Sequence, residues 1–244
     1  MPNHHRRQPA ISRSRRQPRS VRLGIIEDYR SLADMLRDMC VRLWGHEVAF
    51  VAHTGLGGME QCAQHQPEIL LADLGLPDIA GVDLVRKVRE RVPDTKIIVL
   101  SSLCNDYTIH RLAETTIHAF VDKVTDGLPL LQRAIEQVAR GGAFFSPHYL
   151  AVSDRLKRAP DAFNRVLSER EQEILVWIGN SLTDDEIGRR LDITPATVST
   201  HRSAIMRKLD IHSTPKLIRY CTAIGLNSLH PFPGAVTADA RGKN

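Results

Sequence analysis

The sequence predicts two unlike units in series: an α/β domain built on a doubly wound, five-stranded parallel sheet, then an all-α module of four helices. Three observations predict it. Short apolar runs alternate with stretches of helical periodicity from residue 21 to about 142. Residues 143–164 are of mixed polarity and contain Ser146-Pro147 and Ala159-Pro160, which reads as a linker holding at most a helical turn around Leu156. From Ser168 onward, four helix-start signals arrive in close succession.

In the first unit, Val21 to Ile26 reads as a short buried strand, and Leu32, Leu36, Met39 and Leu43 recur at helical spacing. Val48–Ala52 is a second strand and Leu56–Gln64 a short helix. Glu68–Ala72 is a third strand, ending at Asp73. Val82, Val85 and Val88 mark a helix that Pro93 follows. Lys96–Leu100 is a fourth strand, Ile109, Leu112 and Ala113 a helix, and Ala119–Val121 a fifth strand. A last helix, Leu130–Val138, is closed by Gly141-Gly142. Strands alternating with helices imply a parallel sheet covered on both faces.

In the second unit, Ser168-x-x-Glu171 and Thr183-x-x-Glu186 are capping boxes, in which hydroxyl and carboxylate satisfy open N–H groups. Thr194-Pro195 and Thr214-Pro215 place a cap before proline at the first helical position. Helices at about 168–179, 184–191, 195–209 and 215–225 follow. Val198, Ile205 and Leu209 form an inward stripe in the third, with Met206 beside it. Leu191–Thr194 joins two short helices as a helix-turn-helix requires, so the second could enter a DNA major groove about 12 Å wide.

Composition narrows the function. No apolar run approaches the ~18–20 residues of a membrane span. The four cysteines, at 40, 62, 104 and 221, form no close pair. That argues against a zinc site or a secreted disulfide scaffold and suits a reducing cytoplasm. The net charge is +5, but residues 1–20 alone carry six Arg and no acid. The α/β unit sums to −4 over residues 21–145, and residues 165–226 to +1. The basic stretch 1–20 has a disordered composition and reads either as a solvated tail or as an arm that tracks DNA phosphates. Residues 227–244 read as a flexible tail.

In open parallel sheets, ligands bind beyond the carboxyl ends of the strands. Glu27 and Asp28 follow the first strand, Asp73 the third, Ser101 the fourth and Lys123 the fifth. Any one of these has an ordinary explanation as a turn former or cap. Three carboxylates, a hydroxyl and an ammonium on one rim suit a phosphoryl acceptor. A carboxylate can attack phosphorus, clustered acids call for a hard cation such as Mg²⁺, and a lysine and a hydroxyl can hold the transferred group.

Asp73-Leu74-Gly75-Leu76-Pro77-Asp78-Ile79-Ala80-Gly81 is similar to the D-L-x-M-P-x-x-x-G signature of bacterial response-regulator receiver domains. The separations agree: 45 residues from Asp28 to Asp73, 28 to Ser101, then 22 to Lys123. The resemblance covers about residues 21–142 and implies the flavodoxin-like sheet. It implies phosphorylation of Asp73 by a histidine kinase, and Mg²⁺ held by Glu27, Asp28, Asp73 and the carbonyl of Gly75. It implies that Ser101 and Lys123 contact the phosphoryl group. Phe120 matches the family's switch aromatic, or is simply a core strand residue. Leu76 for Met and Glu27 for the commoner Asp are mild departures. Haloacid-dehalogenase-type phosphatases use similar residues but need an acid two positions after the nucleophile, where this chain has Gly75. The expectation is a phosphoryl acceptor with at most slow self-dephosphorylation, not an enzyme.

Leu167–Glu171, Glu186–Leu191, Thr197–His201 and Arg207-Lys208-Leu209 resemble the LuxR-type helix-turn-helix over about 60 residues. A receiver followed by this module resembles the NarL/FixJ subfamily of transcriptional response regulators. The resemblance implies a homodimer binding half-sites in double-stranded promoter DNA, with phosphorylation controlling both steps. Thr197 is a candidate DNA-binding residue, Ser199, Thr200 and Ser203 are the candidates for base contacts, and Arg202, Arg207 and Lys208 for phosphates, or these residues form a solvated helix face. His201 reads as packed. Ser199 stands where lysine is common, Ser203 where lysine or asparagine is frequent, Asp192 and Asp210 where glycine is usual, and Asp185 where lysine is common. The surface is therefore less basic than usual, and the arm could supply charge. The alternative is a receiver-fold transcription factor controlled without phosphorylation, by dimerisation or a protein partner.

Overall fold

A computed structural model describes residues 19–125 and 127–226. The basic arm up to residue 18 and the tail from 227 lie outside these residues. Strands β1 (Arg22–Ile26), β2 (Glu47–Ala52), β3 (Ile69–Ala72), β4 (Lys96–Ser101) and β5 (Ala119–Asp122) are joined by helices α1 (Arg30–Asp38), α2 (Gly55–His65), α3 (Gly81–Arg91) and α4 (Asp106–Ala113). Helix α5 (Gly127–Ala139) follows β5, and a π-helical turn, Met39–Leu43, prolongs α1. These five strands are parallel, in the order β2-β1-β3-β4-β5. The order reverses between β1 and β3, so a crevice opens at their carboxyl ends.

Both faces of the sheet are covered, so its strands are apolar on alternate sides rather than on one. Leu23, Ile25, Ile69, Leu71, Ile98 and Val121 pack with Leu36, Leu131 and Ile135 of α1 and α5. Ile26, Leu70, Ile97, Val99 and Phe120 pack with α2, α3 and α4 on the other side.

The segment that reads as a linker is built into the structure. A sixth strand, β6 (Phe144–Phe145), extends the sheet beside β5. Helix α6 (Pro147–Arg158) follows, with Ser146 as N-cap accepting from the Tyr149 N–H and Pro147 at the first turn. Tyr149, Val152 and Leu156 form its buried stripe. A short helix α7 (Phe163–Val166) then leads into α8 (Glu169–Gly179), α9 (Asp184–Leu191), α10 (Pro195–Lys208) and α11 (Thr214–Ala223). Both capping boxes are present, at Ser168/Glu171 and Thr183/Glu186, and Thr194 caps α10 by accepting from Thr197 N–H. At α11 the cap position is Ser213, without a side-chain bond, and Thr214 is already helical. Ile174, Ile178, Ile187, Val198, Ile205, Leu217 and Cys221 form the module's core, while Met206 and Leu209 are half-buried beside it.

The module rests on α4. Tyr107 N–H donates to the Ile224 carbonyl at 3.1 Å, and Phe163 packs against the rings of Tyr107 and His110. Arg155 of α6 pairs with Asp106. All four cysteines are buried and none is in a disulfide. No helix among the described residues is long and apolar enough to cross a membrane.

One buried group opposes this packing. Neither ring nitrogen of His46 has a hydrogen-bond partner among the described residues. Burial holds His46, His110 and His118 below the ordinary value of 6.5. The unfolded chain therefore takes up these protons first, and stability is lost as pH falls through 6.5 towards each folded value. Replacing His46 by Leu is expected to stabilise the fold by about 1 kcal/mol, because an unsatisfied buried polar group is removed. Urea midpoints at pH 7.5 and 5.5 check this, and the acid-side drop should be smaller in the variant.

Candidate functional site

The reversal of strand order brings Glu27, Asp28 and Asp73 together at the carboxyl ends of β1 and β3. Backbone bonds set their positions: Glu27 N–H donates to the Ala52 carbonyl and Asp73 N–H to the Ile26 carbonyl, at 3.0 and 2.9 Å. Glu27 and Asp73 are buried and Asp28 is exposed, yet one oxygen of each lies within 4.8 Å of the others. Lys123 enters from β5 and bridges the two buried carboxylates. Its Nζ lies 2.6 Å from Glu27 Oε2 and 2.8 Å from Asp73 Oδ2. The other Asp73 oxygen accepts the Leu74 N–H at 2.7 Å. Burial raises the Glu27 carboxyl above its ordinary range, against the pull of Lys123, and the neighbouring Asp73 carboxylate adds to the rise.

Ser101 is fully buried at the end of β4, and its Oγ accepts the Leu103 N–H at 3.2 Å. Lys123 N–H donates to the Ser101 carbonyl, which ties the two ends of the rim together. Phe120, fully buried, lies on the α6 side of β5, and its ring packs on Tyr149 with centroids 5.0 Å apart. The loop carrying Asp73 is anchored by Asp78, whose carboxylate accepts from Gly55 and Leu56 N–H, both at 2.8 Å, at the start of α2. Gly75 is exposed beside Asp73. Hard oxygen donors around a buried aspartate fit Mg²⁺, which prefers carboxylates and phosphate oxygens.

The second candidate surface is α10. Thr197, Ser199, Thr200, Ser203 and Arg207 are exposed on its outer side, and His201 is half-buried. Thr197 shares a hydroxyl bond with Thr194, and Thr200 donates back to the Ala196 carbonyl. Two of the three basic candidates are engaged within the module. Arg202 bonds Asp184 of α9, with Nε at 3.0 Å, and Lys208 Nζ lies 2.7 Å from Glu171 Oε2. Burial pushes Glu171 up, but the bonds from Lys208 and Ser168 outweigh it and hold the carboxyl below its ordinary range. Arg207 has no ion-pair partner among the described residues. The turn between α9 and α10 is tight. Asp192 takes the left-handed conformation, with φ +53°, and a Cβ on Gly188 would meet the Ile193 carbonyl oxygen at 2.6 Å.

Sequence reading missed Asp122, which precedes Lys123. It is buried, accepts from Val124 N–H at 2.8 Å, and pairs with His148 Nδ1 at 2.7 Å. The signal was the period of two in β5, which sets Asp122 on the same side as Phe120.

The α/β unit matches the response regulator receiver domain over residues 23–135, and the helical module matches the luxR family of bacterial regulatory proteins over residues 165–221. The chain belongs to the response regulators in which a receiver domain precedes a LuxR-type DNA-binding domain, the NarL/FixJ type. It is similar to the response regulator protein VraR of Staphylococcus aureus, at 29% identity over 174 residues, spanning 70% of this chain and 82% of that protein. In fold it is similar to RcsB from Salmonella enterica serovar Typhimurium, solved bound to promoter P1flhDC in the presence of the phosphomimetic BeF3-. That match has a TM-score of 0.60 at 19% identity and covers 84% of this chain and all of that one. A LuxR-family response regulator from Aurantimonas sp. aligns with a TM-score of 0.52 at 21% identity, covering 56% of this chain and 98% of that one.

Proposed function

We propose that a sensor histidine kinase phosphorylates Asp73, and that the phosphoryl group controls dimerisation and promoter binding by the helical module. The observation that carries this reading is the buried Asp73 carboxylate with Lys123 Nζ 2.8 Å away. An Asp73 oxygen attacks the phosphorus of the kinase's phosphohistidine, the P–N bond breaks, and the imidazole leaves with the electron pair. Lys123 neutralises charge on the transferring group. Glu27, Asp28 and Asp73, with the Gly75 carbonyl, would hold Mg²⁺, which when bound offsets negative charge on the phosphoryl oxygens. Gly75 leaves no acid two positions from the nucleophile, so the chain acts as a phosphoryl acceptor with at most slow self-dephosphorylation.

To reach the phosphoryl group, the Ser101 hydroxyl gives up its bond to Leu103 N–H. The change would pass along β4 and β5 to Phe120 and then to Tyr149 of α6, whose ring packs on it. Two modules then read half-sites in double-stranded DNA about one helical turn apart. Thr197, Ser199, Thr200 and Ser203 face the base edges and Arg207 a phosphate, while Arg202 and Lys208 reach phosphates by leaving Asp184 and Glu171. The protein would act in the cytoplasm.

Incubating the chain with a small phosphodonor and Mg²⁺ tests this. The expected result is a label and a gain in promoter binding, both absent from Asp73→Asn. A chain that gains DNA binding without an Asp73-dependent label is controlled by dimerisation or a protein partner instead. A labelled chain that binds no DNA uses its helical module for protein interaction.

A further inference from the structure

We infer that Cys104, Asp122 and His148 form a second metal site, specific for a borderline-soft divalent ion of the zinc class. The three residues come from three elements: the loop after β4, the end of β5 and the first turn of α6. Their sulfur, oxygen and nitrogen donor atoms all lie within 4.8 Å of one another. In a tetrahedral zinc site the bonds are about 2.0–2.3 Å, so donors lie roughly 3.3–3.8 Å apart. The widest of these separations needs to close by about 1.5 Å at most, while His148 Nδ1 and Asp122 Oδ2, now 2.7 Å apart, open by roughly half an ångström.

The donor set chooses the metal. Thiolate and imidazole with one carboxylate suit zinc-class ions and not Mg²⁺, which takes hard oxygen ligands. The oxygen cluster of Glu27, Asp28 and Asp73 and this mixed cluster therefore differ in selectivity within one domain. Asp122 is already oriented, because Val124 and Thr125 donate backbone N–H bonds to its Oδ1 and leave Oδ2 facing His148. Such supporting bonds hold a ligand for its metal. Cys104 and Asp122 are buried, while His148 is 45% exposed and gives the ion a way in. Three protein ligands leave a fourth position for water, which suits reversible binding rather than a closed structural site. On binding, the thiol proton is released, and the ion replaces the proton shared by His148 and Asp122.

The position gives the site a consequence. His148 is the neighbour of Tyr149, which packs on Phe120, and Asp122 is the neighbour of Lys123. An ion bound here clamps α6 to the ends of β4 and β5.

Cobalt is the probe, because a thiolate ligand gives Co²⁺ a charge-transfer band and tetrahedral coordination gives intense visible bands. One equivalent of Co²⁺ added to the full chain is expected to produce both, and Zn²⁺ to displace it. Cys104→Ser should abolish the thiolate band, and His148→Ala should weaken binding at least about tenfold. Asp73→Asn should change neither. Far-UV circular dichroism confirms that each variant is folded; His148→Ala alters a half-exposed residue and is the decisive one. Amide exchange across residues 147–158 should slow with Zn²⁺ in the parent chain and not in His148→Ala. No thiolate band at one equivalent overturns the site, as does a band that survives Cys104→Ser or parental affinity in His148→Ala. Unchanged exchange in the zinc-loaded parent overturns the clamp.

Discussion

Replacing Lys123 by Met is expected to destabilise the receiver domain by about 3–5 kcal/mol in the absence of divalent ions, because it leaves buried charge without its partner. The ammonium lies 2.6 Å from Glu27 and 2.8 Å from Asp73, and both carboxylates are buried. Methionine keeps most of the side chain's apolar length, so the loss measures charge rather than packing. Removing one partner of a buried pair costs far more than the pair contributes net, since the remaining charges are already desolvated. Here two carboxylates are left facing one another, which adds repulsion to the loss. The cost is a large fraction of the ~5–15 kcal/mol that holds a typical domain together. On the proposed Mg²⁺ site, the ion should restore part of it and should raise the unfolding midpoint more in Lys123→Met than in the parent chain, because a ligand held only by the folded state's oxygens stabilises that state. Chemical denaturation of both chains with and without Mg²⁺ measures this. Equal midpoints without Mg²⁺ would mean that the ammonium does not hold the two carboxylates together.

The rim residues were legible in the sequence for a topological reason. A strand covered on both faces reads as an unbroken apolar run, so its end is sharply marked, and Glu27, Asp73, Ser101 and Lys123 stand at those ends. Order β2-β1-β3-β4-β5 then brings them to one side of the sheet. The helical module was legible through its caps, which are local bonds between residues three apart. What local patterns do not encode went unread. Strand β6 has two residues and can show no period. Helix α6 did carry a local signal, since Ser146-Pro147 is the same device as Thr194-Pro195; mixed polarity around it masked the stripe of Tyr149, Val152 and Leu156. The pairing of Arg202 with Asp184, and of Lys208 with Glu171, joins residues 18 and 37 apart. Both look like free positive charge in the sequence, and only packing shows them engaged. The Cys104, Asp122 and His148 cluster is of the same kind. No two of its members are close in the chain, so the absence of paired cysteines said nothing about it.

The two glycines of the Asp73 loop look equivalent in the sequence and are expected to behave oppositely. A Cβ on Gly81 would lie 2.2 Å from the Leu74 Cα and 2.5 Å from its carbonyl oxygen. Those are backbone atoms, in a residue whose own N–H bonds the Asp73 carboxylate. No side chain can rotate away, so either α3 or the loop must move. Overpacking a core commonly costs about 1–3 kcal/mol, and the backbone neighbours put Gly81→Ala at or above the upper end. A Cβ on Gly75 would meet Asp73 Oδ2 at 3.5 Å, an ordinary contact on an exposed residue. Gly75→Ala should therefore stay within about 0.5 kcal/mol of the parent chain, as surface substitutions usually do. The displacement in Gly81→Ala also reaches Asp73 through Leu74, so its rate of labelling by a small phosphodonor should fall, even under conditions where the variant remains folded. Urea midpoints and labelling rates of the two variants, measured side by side, decide the matter. If Gly81→Ala unfolds at the same urea concentration as Gly75→Ala, the close approach of α3 to Leu74 is not what requires glycine at the end of the signature.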